Sequence, residues 1–200
     1  MKQQIPIRQG ELSLVPDFLS ETQSQALFSL LRQEINWQQD DIFLFGRQVA
    51  IPRLQAFQGE AGIRYKYSGL TLSAEPWHPA ILEIKQQLES TCNSRFNSVL
   101  LNYYRDGKDS MGWHSDDEPE LGRNPTIASL SLGDCRRFRL RHRFEKPIQQ
   151  QTLLLNSGSV LIMSGQLQHF WQHSLPKTAK VMQGRINLTF RLTQNTQQYT

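Results

Sequence analysis

Cysteine is scarce in this 200-residue sequence: two residues, Cys92 and Cys135, in no spaced ligand pattern. Their placement excludes a disulfide-stapled scaffold and a cysteine-built zinc site, and predicts two reduced, buried thiols. Long apolar runs are missing, so no segment reaches the length of a membrane span. The opening Met1-Lys2-Gln3-Gln4-Ile5-Pro6 lacks the apolar centre of a signal peptide. The expectation is therefore a soluble intracellular protein, cytoplasmic, or nuclear in a cell with a nucleus, and without a membrane partner. Repeats, low-complexity tracts and evident linkers are also missing. With 38% hydrophobic residues spread along the chain, the length suits one domain, 1–200, with a substantial core.

What is present is basic charge, unevenly spread. The net charge is +4 and the pI about 9.2, which is compatible with nucleic acid without establishing it. Within Arg136 to Arg143, strand alternation puts Arg137, Arg139, Arg141 and Arg143 on one face, and Phe138, Leu140 and His142 on the other. Such a stripe suits successive phosphates. The plainer reading is an edge strand whose charges block edge-to-edge pairing.

Ser20-Glu21-Thr22-Gln23 is a capping-box pattern, and Leu27, Leu30, Leu31 and Ile35 continue it at helical spacing. A helix is expected over about 21–35. Pro76 and Pro79 open a second, with Ile81, Ile84, Lys85 and Leu88. Residues 38–75 are rich in glycine, aromatic and basic residues and show no clean period. From Phe96 onward short strand-like runs dominate: 97–104, 127–132, 136–144, 152–155, 159–163 and 185–192. Two helices followed by many short strands predict an α+β domain around an antiparallel double sheet.

The chemistry concentrates in Trp113-His114-Ser115-Asp116-Asp117-Glu118, His173 and the segment Arg185 to Arg191. His114 and Asp116 are two apart and leave one face of an extended segment. A downstream histidine would complete two imidazoles and one carboxylate, a set that covers one face of iron(II) and leaves positions open. His169 and His173 both qualify by spacing. In Arg185 to Arg191, Ile186, Leu188 and Phe190 share one face, and Arg185, Asn187, Thr189 and Arg191 the other. Two arginines and an amide there suit a small dianion, because a guanidinium meets a carboxylate with two parallel bonds. Asn102 and Tyr104 share a strand face, as do Tyr65 and Tyr67. Each piece alone has a bland explanation; the ordered combination is much rarer.

That combination resembles the AlkB family of iron(II)/2-oxoglutarate-dependent dioxygenases, and more closely its duplex-DNA-repairing animal members than the founding bacterial enzyme. The matching pieces are Ser68-Gly69-Leu70-Thr71-Leu72, Leu101 to Gly107, His114 to Glu118, Ile127-Ala128-Ser129, His173-Ser174-Leu175-Pro176 and Arg185 to Arg191. They span about residues 40 to 192. The resemblance implies a double-stranded β-helix, or jelly roll, over about 96–200. It is braced by N-terminal helices and fronted by a nucleotide-recognition lid within about 1–95. It selects His173 as the third ligand beside His114 and Asp116. It sets Arg191 and Asn102 near the C1 side of 2-oxoglutarate, and Arg185, Tyr104 and Asn187 around its C5 carboxylate.

The implied reaction consumes oxygen and 2-oxoglutarate, hydroxylates an N-methyl group and releases formaldehyde from the restored base. The implied substrate is DNA carrying 1-methyladenine or 3-methylcytosine, with RNA as a lesser one. A methyl on a pairing edge is hidden in a duplex, so the base must be flipped or unpaired. By resemblance Tyr67 stacks on that base, where the duplex-active members carry Phe. Tyr65 and Glu118 reach its edge with Asp117 close by, Arg53 contacts the backbone, and Phe45 wedges into the gap. A monomer is expected. Two other readings remain: the same chemistry on modified transfer RNA or a protein side chain, and a non-catalytic nucleic-acid-binding module.

Overall fold

Ser20 opens the first helix, α1 (Glu21–Glu34), through the expected reciprocal cap. Its Oγ accepts the Gln23 N–H at 3.3 Å, and its own N–H donates to Gln23 Oε1 at 3.0 Å. The second helix, α2 (Pro79–Cys92), starts later than Pro76, with His78 as the capping residue, and stops at Asn93 in the left-handed region. The computed structural model describes residues 1–44, 46–67 and 70–194, with the backbone alone at 43, 44, 67 and 70.

The strands, in chain order, are β1 (Gln3–Gln4), β2 (Glu11–Val15), β3 (Asp41–Leu44), β4 (Arg47–Ala50) and β5 (Leu54–Gly59). Next come β6 (Arg64–Tyr67), β7 (Leu70–Ser73), β8 (Ser98–Tyr104), β9 (Met111–His114) and β10 (Ile127–Gly133). The last are β11 (Arg136–His142), β12 (Gln151–Leu155), β13 (Val160–Ser164), β14 (Trp171–Leu175) and β15 (Arg185–Arg191). A third, one-turn helix, α3 (Leu167–Phe170), precedes β14.

Antiparallel pairing builds a seven-stranded sheet, β1-β2-β13-β10-β15-β8-β5, and a four-stranded sheet, β12-β11-β14-β9. This is a jelly roll. Both helices cover the outer face of the large sheet, where Leu27, Leu31, Ile81, Ile84 and Leu88 join Val99, Leu101, Leu130, Ile186, Leu188 and Phe190 in one core. A second core fills the space between the sheets, around Ile127, Phe138, Leu140, Leu161, Met163 and Trp171. Among the described residues no helix is long and apolar enough to cross a membrane.

Segment 38–75 contains more than hairpins. The hairpins β3–β4 and β6–β7 stand apart as two-stranded sheets, but β5 between them is the edge of the large sheet. Nearly all of β5 is buried, which erases the alternation that would have marked it in the sequence. Cys135 is exposed, against the expectation of a buried thiol, because it sits at the β10–β11 turn; Cys92 is half-buried, and both are free.

One basic residue sets the loop that leads into β9. Arg136 is 3% exposed and donates to the carbonyls of Asp106 (3.1 Å), Asp109 (2.9 Å) and Pro176 (2.8 Å). Arg105 closes the same loop, donating from its backbone N–H, Nε and Nη2 to the Asp109 carboxylate at 2.9, 2.8 and 3.0 Å. A Cβ at Gly107 would collide with the Thr178 carbonyl, so glycine is required there. Burial alone would raise the Asp109 pKa, but Arg105 holds it below the usual carboxylate range. Stabilisation from a lowered carboxyl is full above its unfolded pKa and is lost as pH falls through the lower folded value. Asp109→Asn should therefore lower stability at neutral pH by about 2 kcal/mol. Thermal melts should show a deficit of roughly 4–8 °C that closes as the parent is acidified; a constant deficit at every pH would contradict it.

Candidate metal centre and co-substrate cavity

A β-bulge shapes the first half of the site. His114 on β9 lies opposite His173 on β14, and Met111 lies opposite Leu175. Three steps on β9 thus face two on β14, and the slip turns Met111 and His114 inward together while Trp113 faces out. The His114 and His173 ring centroids are 4.1 Å apart. Asp116 joins them from the loop after β9, and one ligand atom from each of the three residues lies within 4.8 Å of the others. His169 does not join: it belongs to α3 rather than to the strand, and its Nε2 sits 3.1 Å from Asn124 Oδ1.

The surroundings fix the donor atoms. His114 Nδ1 lies 2.9 Å from the Gly112 carbonyl, so Nδ1–H donates there and Nε2 is left for a ligand. The Asp116 backbone N–H donates to Gln168 Oε1 at 3.0 Å, and Gln168 is 1% exposed. Burial lowers both imidazole pKa values, and the neighbouring His114 helps push His173 to about 3. Burial alone would raise Asp116, but Arg191 and the two histidines hold it at about 2. Neutral imidazoles and an ionised carboxylate are the states that bind a metal. The donor set fits a divalent iron ion with open positions.

The polar face of β15 lines the same cavity. Every residue of β15 is buried, so its polar side points between the sheets and not into water. Register sets Arg185 opposite Tyr104 and Asn187 opposite Asn102. These four, with Arg191, Ser129, Thr189 and the three donor residues, line one cavity. Arg191 Nη2 lies 3.0 Å from Asp116 Oδ1, a close ion pair without an aligned hydrogen bond at that oxygen. Arg185 differs. It is 2% exposed, donates to Ser131 Oγ at 2.8 Å and stacks 5.6 Å from the Tyr104 ring centre. Its Nε has no partner, and among the described residues no carboxylate pairs with it. Burial lowers its pKa to about 10, so it still carries its charge at neutral pH. A buried cation without a counter-charge is costly, and an anion in the cavity would relieve it.

The expected base-contacting residues divide. Tyr65 is fully buried, its ring 5.7 Å from Phe57 and 5.0 Å from the Arg191 guanidinium. Glu118 adjoins it, and burial, then Asp116, raise the Glu118 carboxyl to about 7. Asp117 is exposed and paired with Arg143 at 2.6 Å. Arg53 is 3% exposed, and its Nε donates to Asn102 Oδ1 at 2.7 Å. Phe45 and the Tyr67 side chain lie outside the described residues. Arg136, Gln168 and Ser131 were not expected; each acts through a partner distant in sequence, and no local pattern marks it.

His169→Ala should retain ferrous-iron binding within a factor of about two. His173→Ala should weaken it by more than about a hundredfold, since even residues that only orient a ligand cost 10–100-fold when replaced. Anaerobic iron titration of the two variants checks this, and equal losses would remove His173 from the donor set.

Comparison with known proteins agrees with this geometry. The model of the 2OG-Fe(II) oxygenase superfamily matches residues 11–191. The alpha-ketoglutarate-dependent dioxygenase alkB homolog 3 of Homo sapiens is 38% identical over 197 residues, covering 93% of this chain and 67% of that protein. The DNA oxidative demethylase ALKBH2 of Homo sapiens is 43% identical over 154 residues, covering 74% and 59%. Its Mus musculus counterpart is 38% identical over 178 residues, covering 84% and 74%. The chain thus spans about two thirds of the length of the curated relatives it matches. A solved structure of OsALKBH1 superposes with a TM-score of 0.67 at 18% identity, over 96% of this chain and 100% of that one, which supports the fold alone. By its motifs, its roll and these relatives, the chain belongs to the AlkB family of the 2OG-Fe(II) oxygenase superfamily.

Proposed function

We propose that this chain is an iron(II)- and 2-oxoglutarate-dependent dioxygenase that restores N-alkylated bases, 1-methyladenine and 3-methylcytosine, in DNA, with RNA as a lesser substrate. The observation that carries the reading is Arg185, a buried cation that no carboxylate pairs among the described residues, beside a His-Asp-His donor set. A dicarboxylate bound between that donor set and Arg185 answers both needs. The names of the relatives, which specify a dioxygenase and a DNA oxidative demethylase, support the chemistry and the substrate.

In this reading His114, Asp116 and His173 hold the iron. Bound there, iron would supply the centre at which oxygen and 2-oxoglutarate react to succinate, carbon dioxide and a hydroxylated N-methyl group, which leaves as formaldehyde. Arg185, Tyr104 and Asn187 would take the C5 carboxylate, with Arg191 and Asn102 toward the C1 end. Arg53 occupies the Asn102 carbonyl oxygen, which leaves the Asn102 NH2 to donate into the cavity. Tyr65 and Glu118 would reach the base edge, with Asp117 close by. Tyr67 would stack on the extruded base and Phe45 would fill its place in the helix. In this reading the protein works as a monomer on intracellular DNA, in the cytoplasm or the nucleus. The donor set and Arg185 weigh against a non-catalytic binding module. Modified transfer RNA and protein side chains are alternatives for the substrate assay to exclude.

The test is incubation with iron(II), 2-oxoglutarate and single- and double-stranded methylated oligonucleotides, with formaldehyde and succinate measured. Failure to release formaldehyde from any of them would sink the repair reading. Arg185→Lys should raise the KM for 2-oxoglutarate by about ten- to a hundredfold, because a point charge cannot reproduce the two-pronged contact. Oligonucleotide affinity should not change, and the reverse pattern would put Arg185 on the nucleic acid. Tyr67→Ala should cost roughly ten- to a hundredfold in turnover, the worth of about 1–3 kcal/mol of base stacking. Tyr67→Phe should be close to silent. Undiminished repair by Tyr67→Ala would move the base elsewhere.

A further inference from the structure

We propose that the outer face of the four-stranded sheet is a track for single-stranded nucleic acid, carrying the strand that flanks the modified base away from the catalytic mouth. The proposal rests on the repair reading for its substrate and goes beyond it in naming a second surface and a strand state.

The arginines of β11 do not protect an edge, because β11 lies between β12 and β14. Burial alternates along it, with Phe138, Leu140 and His142 inside and Arg137, Arg139 and Arg141 outside. Successive arginines are therefore roughly 6.7 Å apart along a straight line, a repeat suited to the phosphates of an extended strand. Two of the three are held by neutral partners. Arg139 Nη2 donates to Gln150 Oε1 at 2.6 Å, and Arg141 donates from Nε and Nη2 to Gln172 Oε1 at 3.0 and 2.8 Å. Both guanidinium groups stack on the outward Trp113, at 5.5 and 4.4 Å from its ring centre. These contacts fix direction without cancelling charge. Among the described residues no carboxylate pairs with Arg137, Arg139 or Arg141.

The line has two ends. Next to the donor set, Arg143 pairs with Asp117, which follows the donor Asp116. At the other end, Arg137 and Arg139 enter an open groove of about 950 Å³ that also holds Lys177 and Lys180. Apolar surface flanks the line: Leu154, 60% exposed, lies opposite Arg137, and Phe144, 67% exposed, lies beside Arg143. Cations that follow a backbone, bordered by apolar and aromatic faces, suit unpaired bases. A duplex would hide those base faces, and an acidic peptide would answer the charge alone.

The experiment uses the full chain, with Arg137→Gln and the double variant Arg139→Gln/Arg141→Gln. Affinity is measured across a salt series for a long single strand of about sixteen nucleotides, the matching duplex and a polyglutamate peptide. Each neutralised arginine should flatten the single-strand salt slope by about 0.7 and leave the duplex slope nearly unchanged. In the double variant the KM for the long methylated single strand should rise about tenfold, with that for a methylated tetranucleotide unchanged. An unchanged single-strand slope, an equal loss on the duplex, or polyglutamate binding as tight as the long strand would each overturn the track. Arg137→Gln keeps the test valid if the double variant misfolds, since Arg137 is exposed. Formaldehyde release by the parent judges the repair reading separately: a parent that demethylates while the variants keep its slope loses the track alone.

Discussion

The Arg185 guanidinium lies between the two sheets with Ser131 Oγ and the Tyr104 ring for company, and the interior is built around that uncompensated charge. Taking a cation out of water costs several kcal/mol when no counter-charge meets it. Arg191, six residues along the same strand, shows the alternative, since Asp116 stands 3.0 Å away. Here lies the difference between the two ends of the cavity. One end is neutralised from within the chain, and the other is held open for an anion from outside.

Such a strand survives because its other face is wholly apolar. Ile186, Leu188 and Phe190 pack under α1 and α2 in the larger core, and that burial offsets the cost of the polar side. The helices thus hold in place a strand whose inner face works against folding. The small sheet has the reverse economy. Its inner face carries Phe138 and Leu140 with the donor residue His173, and its outer face carries arginines that no helix covers among the described residues.

The His114–Asp116 pair and the β15 alternation could be read from the sequence because each depends on spacing over a few consecutive residues. The capping box of α1 was legible for the same reason: its partners stand three residues apart. His173 could not be separated from His169 by spacing. The choice follows from where β14 begins, at Trp171, after the one-turn helix that takes His169 away. The burial of Arg53 was not legible, because its partner Asn102 is 49 residues off and no local pattern marks a basic residue that the fold turns inward. Strand β5 left no period because nearly all of it is buried, and β9 because its bulge breaks one.

The order of strands in the large sheet differs from their order in the chain. Strand β15, which follows the other described strands in the sequence, is inserted between β10 and β8, and the early strand β2 pairs with β13, with Val15 opposite Val160. Until β15 arrives, β8 and β10 have each lost an edge partner, and the cavity has no arginines. Loop closure on this scale makes for slow, non-local assembly. The roll is therefore a structure whose large sheet is not closed without β15. Its cavity arginines and the centre of its hydrogen-bonded ladder depend on the same strand.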